Sequence, residues 1–198
     1  MIINMAEQYF KTFIEHLRET IELTTSDIDK ILDVVEIVKL KRKEFLLTPD
    51  QPSRHMRFIA EGSARSYYLD ENSQEHTLQI GIENWWINDL YSFLTQKDSQ
   101  MYIQAIESAV ILQISQSNLE KLYREVPEVS TFFRIKIQNA YVALQERMIE
   151  NLSAEVYIRY QKFIKDYRDI EQRVPQYIVA SYLGVTPEFL SYLKKKHL

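Results

Sequence analysis

Residues 58–80 read FIAEGSARSYYLDENSQEHTLQI, and how that stretch is read decides the fold. Two β-rich runs, FIAEG and ARSYYLD, meet at Gly62, and the polar cluster DENSQE separates them from a third run, HTLQI. In HTLQIGI the residues His76, Leu78, Ile80 and Ile82 alternate with Thr77, Gln79 and Gly81, the period expected of a half-buried strand with the first set inward. The same grammar extends both ways. VVEIVKLK, EFLLTP, MRFIAEG, MYIQAI and AVILQIS are further short runs, punctuated by PDQPSR and TQKDSQ. Many short strands at near-regular spacing between about Val34 and Ser115 predict an antiparallel sandwich or jelly-roll barrel.

Helical periodicity flanks this region. Phe10, Phe13, Ile14 and Leu17 share one face of an amphipathic helix, and a second starts near TTSDIDKIL, with Thr25 or Ser26 as its cap. The first helix interrupts its apolar residues with charge, unlike a signal peptide. After Ser117 comes a short helix broken by Pro127, which also suits the first turn of the next one. In that long helix Ile137, Tyr141, Leu144 and Met148 step by four, three and four residues, a stripe for a two-helix seam or for burial on the barrel. A further helix covers Ala154 to Arg168, and DIEQR links it to the closing segment.

Composition bounds the chemistry. The 198 residues carry a net charge of −4, are 45% hydrophobic and 26% charged, and include no cysteine. Disulfides, thiol catalysis and cysteine-held metals or iron–sulfur clusters are therefore excluded, and the composition fits a reducing cytoplasm. No apolar run approaches the roughly 20 residues that span a bilayer. The glycines are Gly62, Gly81 and Gly184, which make neither a phosphate-cradling loop nor a serine nucleophile elbow. The histidines are His16, His55, His76 and His197, without the His-x-His pair of a metal-binding cupin. The reading is that of a non-enzyme without metal or cofactor.

The last segment, QYIVASYLGVTPEFLSYLKKK over residues 176–196, has the spacing of a helix-turn-helix. Ala180 is small where two helices pack closely, and Gly184 falls at the turn, where φ must be positive. Leu183, Val185, Leu190 and Leu193 are apolar where the pair needs support. Thr186 caps the second helix, Pro187 opens it and Glu188 follows in its first turn. From Arg173 onward four cations oppose one acid, a net of +3 that leaves −7 for the rest of the chain. The residues placed to meet DNA are Thr186, Glu188, Phe189, Ser191, Tyr192, Lys194, Lys195 and Lys196, with the lysines neutralising phosphates.

The order of these parts resembles the Crp/Fnr family of bacterial transcription regulators over nearly the whole chain. FIAEGSARSYYLDENSQEHTLQI is similar to the family's barrel strands around a glycine turn. WWINDLYSFL is similar to the start of its cyclic-nucleotide phosphate cassette, AVILQISQSNLEKLYREVPEV to its last strand and following helices, and VPQYIVASYLGVTPEFLSYLKKK to its DNA-reading hairpin. The resemblance implies an α+β chain: N-terminal helices and an antiparallel β-roll as sensor over 1–126, a dimerisation helix over 127–151, and a helix-turn-helix domain over 152–198. It further implies a homodimer, double-stranded DNA and RNA polymerase as partners, and no membrane.

It also places a ligand pocket at Trp85, Trp86, Asn88, Asp89, Leu90, Ser99, Gln100, Leu144 and Gln145. Where cyclic-AMP-binding members carry Gly-Glu-Leu and, ten residues after the glutamate, an arginine for the phosphate, this chain has Asn88-Asp89-Leu90 and Ser99. Leu144 and Gln145 replace the Thr-Ser pair that meets the base. A phosphate there would face Asp89 without a countercharge, so no response to cyclic AMP is expected, and the barrel is left with a different small-molecule ligand or with none. The competing expectation is a ligand- or partner-binding module of the same fold that has lost DNA binding.

Overall fold

The computed structural model describes residues 2–196; His197 lies outside the described residues. The chain divides into two compact units. The first comprises Met1–Tyr67 and Gln79–Lys136, the second Tyr68–Leu78 and Ile137–Leu198.

In the first unit, α1 (Ile2–Arg18) and α2 (Thr25–Leu32) precede the strands. The cap of α2 is Thr24 rather than Thr25 or Ser26. The Thr24 hydroxyl accepts from the Asp27 N–H, and the Asp27 carboxylate accepts from the Thr24 N–H, a closed capping box. Among the described residues the strands are β1 (Glu36–Leu40), β2 (Phe45–Leu47), β3 (His55–Glu61), β4 (Ala64–Leu69), β5 (Glu75–Gly81), β6 (Tyr102–Ala105) and β7 (Ala109–Ser115). They form an antiparallel β-roll of two sheets, ordered β1-β7-β3 and β2-β6-β4-β5. Gly62 turns β3 into β4 at φ 82°, and a Cβ there would meet the Ser108 carbonyl oxygen at 2.3 Å. That turn therefore requires glycine twice over, for its backbone angle and for the close approach.

Strand alternation divides the apolar residues into two cores. Met56 and Phe58 of β3 and Val110, Leu112 and Ile114 of β7 pack with Phe13, Ile14 and Leu17 of α1 and with Leu119, Leu122, Phe132 and Phe133. Ile59 and Ile111 pack instead with Leu40, Leu47, Ala64, Ile87 and Ile103. Between β5 and β6 lies α3 (Leu90–Thr95); α4 (Gln116–Glu125) and the start of α5 (Pro127–Ser153) follow β7.

The second unit holds the rest of α5, then α6 (Val156–Asp166), α7 (Arg168–Arg173), α8 (Gln176–Leu183) and α9 (Pro187–Lys196), together with hairpin residues 68–78. The DIEQR segment is thus part of a helix rather than a linker. β5 also departs from its expected faces: Thr77 is buried, whereas Leu78 is 42% exposed. Leu78 was expected inward with His76 and Ile80; at the edge of the strand the Thr77 N–H is held by the Ser181 hydroxyl at 2.9 Å.

Candidate nucleic-acid interface and phosphate cassette

The sequence dictates the closing helix pair directly. α8 ends at Gly184, whose φ of 71° reverses the chain, and the Val185 N–H returns to the Ala180 carbonyl at 3.0 Å. α9 starts on Thr186, whose hydroxyl accepts from the Phe189 N–H at 3.2 Å. Ala180 and Leu190 are fully buried, and Leu183 and Leu193 nearly so, where the two helices and their support meet. Tyr160 and Phe163 of α6 belong to the same buried set.

This packing leaves one face of α9 outward. Thr186, Glu188, Phe189, Tyr192, Lys195 and Lys196 are exposed. Ser191 and Lys194 are half-buried, each for a visible reason. The Ser191 hydroxyl accepts from the Gln176 side-chain amide at 2.8 Å, and the Lys194 ammonium lies 5.3 Å from the Tyr160 ring centre. The aromatic pair Phe189 and Tyr192 sits with ring centres 6.3 Å apart. Cation, carboxylate, hydroxyl and aromatic groups are together on one short helix face, the mixture that meets phosphates and base edges.

The unpaired carbonyls at the end of α8 are capped from outside. Arg147 of α5 donates to the Tyr182 carbonyl at 2.9 Å and lies 3.8 Å from the Tyr182 ring centre. Arg159 of α6 donates to the Leu183 carbonyl at 2.9 Å and to Asn151 at 2.7 Å. Burial lowers the Arg147 pKa. The partial negative charge of the helix end and the carbonyl oxygens offset the closeness of two cations.

In the first unit the cassette residues form a different kind of site. Asp89 is buried at the N-terminus of α3, where its carboxylate accepts from the Ser92 N–H at 3.0 Å and from the Ser99 hydroxyl at 2.7 Å. The two positions that resemble the family's ribose glutamate and phosphate arginine are thus bonded to each other. Asn88 accepts from the Arg57 N–H at 2.8 Å. Leu90 is half-buried against the helix-side core, and Gln100 is exposed.

The buried cation that acts on Asp89 is Arg57, on β3. The residue is 3% exposed, and its guanidinium donates to Ser53 Oγ and the His55 carbonyl, both at 3.0 Å, while its Nε has no partner. Burial brings its pKa down to about 10, against the opposing pull of Asp89. Arginine inside an apolar strand run was the available signal, because such a cation must be paired across the fold.

The tryptophans divide. Trp86 packs on Phe13, Phe58, Phe132 and Phe133 and donates from its indole nitrogen to His16 at 3.3 Å. It belongs to the core between sheet and helices. Trp85 is half-buried. In the second unit Leu144 and Gln145 are exposed on α5. His76 is 2.9 Å from the Asp70 carboxylate and stacks on Tyr68, with ring centres 4.9 Å apart. No group of histidine and carboxylate side chains among the described residues is arranged to hold a metal ion. None of the described helices is long and apolar enough to cross a membrane.

Comparison with known proteins places this geometry. Residues 37–126 match the family described as Cyclic nucleotide-binding domain. A curated relative, named "Probable transcriptional regulator flp" in Lacticaseibacillus casei, is 22% identical over 165 residues, which are 80% of this chain and 74% of that protein. The c-di-GMP responsive global regulator CLP of Xanthomonas campestris superimposes with a TM-score of 0.72 at 13% identity, over 87% of this chain and 91% of that one. A Crp/Fnr family protein from Eubacterium rectale does so with a TM-score of 0.68 at 14% identity, over 88% and 83%. Residues 37–126 are therefore similar to the cyclic nucleotide-binding domain family, in a chain whose fold is similar to that of a Crp/Fnr family protein.

Proposed function

We propose that this protein is a DNA-binding transcription regulator that acts as a homodimer and does not respond to cyclic AMP. The observation that carries the reading is the outward face of α9, where Thr186, Glu188, Phe189, Tyr192, Lys195 and Lys196 stand exposed on a helix whose opposite side is locked by Leu190 and Leu193. Ser191 and Lys194 contribute from the edges of that face. A local net charge of +3 from Arg173 onward lets an otherwise acidic chain approach a polyanion at this end.

Dimerisation is supported by α5. Tyr141, Leu144, Met148 and Leu152 are 61%, 55%, 57% and 87% exposed, an apolar stripe too long to leave in water. Two copies seamed along it would present two α9 helices to a two-fold symmetric site. RNA polymerase is the further partner that regulators of this fold imply.

The cassette supports the third part. Asp89 spends its oxygens on Ser92 and Ser99, so the ribose-binding carboxylate and the phosphate-binding position are both occupied by internal bonds. Leu144 and Gln145, exposed on α5, are left for the dimer seam.

Selection of bound duplexes from random DNA by the full-length protein tests the reading. Enrichment of an inverted repeat is the expected result. Failure to enrich any sequence from a protein that is dimeric and folded would leave the ligand- or partner-binding module instead. Calorimetric titration with cyclic AMP is expected to show no heat of binding, and a stoichiometric signal would refute the cassette argument.

A further inference from the structure

β5 is an edge strand of its sheet, and the outer edge of its hairpin end is satisfied by side chains of the helical unit rather than left bare. The Ser181 hydroxyl on α8 accepts from the Thr77 N–H at 2.9 Å and donates to the Glu75 carbonyl at 2.7 Å. It therefore occupies the place a neighbouring strand would take. Arg147 on α5 donates to the Leu78 carbonyl and to the Thr77 carbonyl at 3.2 Å, besides the Tyr182 carbonyl at the end of α8. One guanidinium thus joins the hairpin, the long helix and the turn of the DNA-reading pair. Thr77 is 2% exposed beneath these contacts. The compact unit that contains α8 and α9 accordingly includes residues 68–78, although their strands run on into the β-roll.

We propose that Ser181 and Arg147 are positioning residues for DNA binding: by clasping the edge of β5 they set the pose of the α8–α9 pair, and hairpin 68–78 is a working part of the DNA reader. The inference rests on the DNA-binding reading above. Neither residue belongs to the outward face of α9, so their effect reaches DNA through the helix pair.

The test uses the full-length protein with Ser181→Ala, Ser181→Thr and Arg147→Lys, and a duplex enriched by the selection described above. Affinity is measured across a salt series, dimerisation by sedimentation, and exchange of the 68–78 amides by mass spectrometry. Ser181→Ala is expected to speed exchange in the hairpin and to weaken DNA binding by about five-fold or more, with the salt slope unchanged because no phosphate contact is lost. Ser181→Thr, which keeps the hydroxyl, is expected to restore both, and Arg147→Lys, which loses the forked donor, to weaken binding like the alanine variant. Faster exchange with unchanged affinity would overturn the proposal, as would exchange identical to the parent protein. A salt slope shallower by about one would also overturn it, by making the residue a direct phosphate contact. If the parent protein enriches no duplex at all, the DNA-binding reading fails first and takes this inference with it; unchanged affinity in a parent that does bind removes the clasp alone.

Discussion

His16 is the residue whose surroundings make the sharpest statement about pH. It is 7% exposed, accepts from the Trp86 indole at Nε2 and faces Glu19 from Nδ1 at 3.3 Å, which fixes the neutral ring with its proton on Nδ1. Burial, aided by the Lys136 cation, lowers its pKa below 6.5, and Glu19 opposes the shift only in part. The unfolded chain therefore takes up a proton near pH 6.5 that the folded one refuses. The stabilisation is complete above that pH and is lost as pH falls from there through the folded value. Urea unfolding at a series of pH values is expected to show stability falling below pH 6.5, with a weaker fall in His16→Gln. Equal pH dependence in the two proteins would show that His16 is not the group responsible. Asp89 permits a prediction without titration. Replacing it with alanine removes the cap of α3, the partner of Ser99 and the charge that favours buried Arg57. The expected loss is about 2–4 kcal/mol by chemical denaturation. Asp89→Asn keeps an acceptor for the cap and is expected to fall between that variant and the parent; a loss below about 0.5 kcal/mol for Asp89→Ala would contradict the assigned role.

At the scale of elements, the long helix carries the clearest prediction. The side chains of Leu144 and Met148 are already in water in the single chain, so charging them costs the fold little. Leu144→Glu with Met148→Glu is expected to shift sedimentation from dimer to monomer, raising the dimer dissociation constant by about a hundred-fold or more, while the thermal midpoint of the separated chain stays within a few degrees. A dimer that survives both charges would move the seam elsewhere. Elements whose pattern is local were legible in the sequence. The strands, the break at Pro127 and the turn at Gly184 follow from alternation, a missing N–H and a positive φ. The features that escaped depend on partners far along the chain. Thr77 is buried and Leu78 exposed on a strand whose edge is taken by Ser181, 104 positions away. Trp86 joins the helix-side core because His16 and Phe132 wait there. Arg57 answers Asp89 from a strand that the cassette comparison does not include. Periodicity reports which way a residue points along its own element, and says nothing about which distant group competes for that direction.

For the whole molecule, the question is how a chain of net charge −4 can bind a polyanion. In the proposed mode, binding is local and cationic at one end, repeated by symmetry in a dimer. Phosphates neutralised there by Lys194, Lys195 or Lys196 would release counterions, so affinity is expected to fall with salt. The most direct test is equilibrium binding of the full-length dimer to its selected duplex over a range of salt concentrations, alongside the triple variant in which those lysines are alanine. The expected result is a linear fall of log affinity with log salt for the parent, and a weaker affinity with a slope shallower by about two or more units for the variant, the lysines of both protomers contributing. Parent and variant binding with the same affinity and the same slope, or no binding by the parent even at low salt, would contradict it.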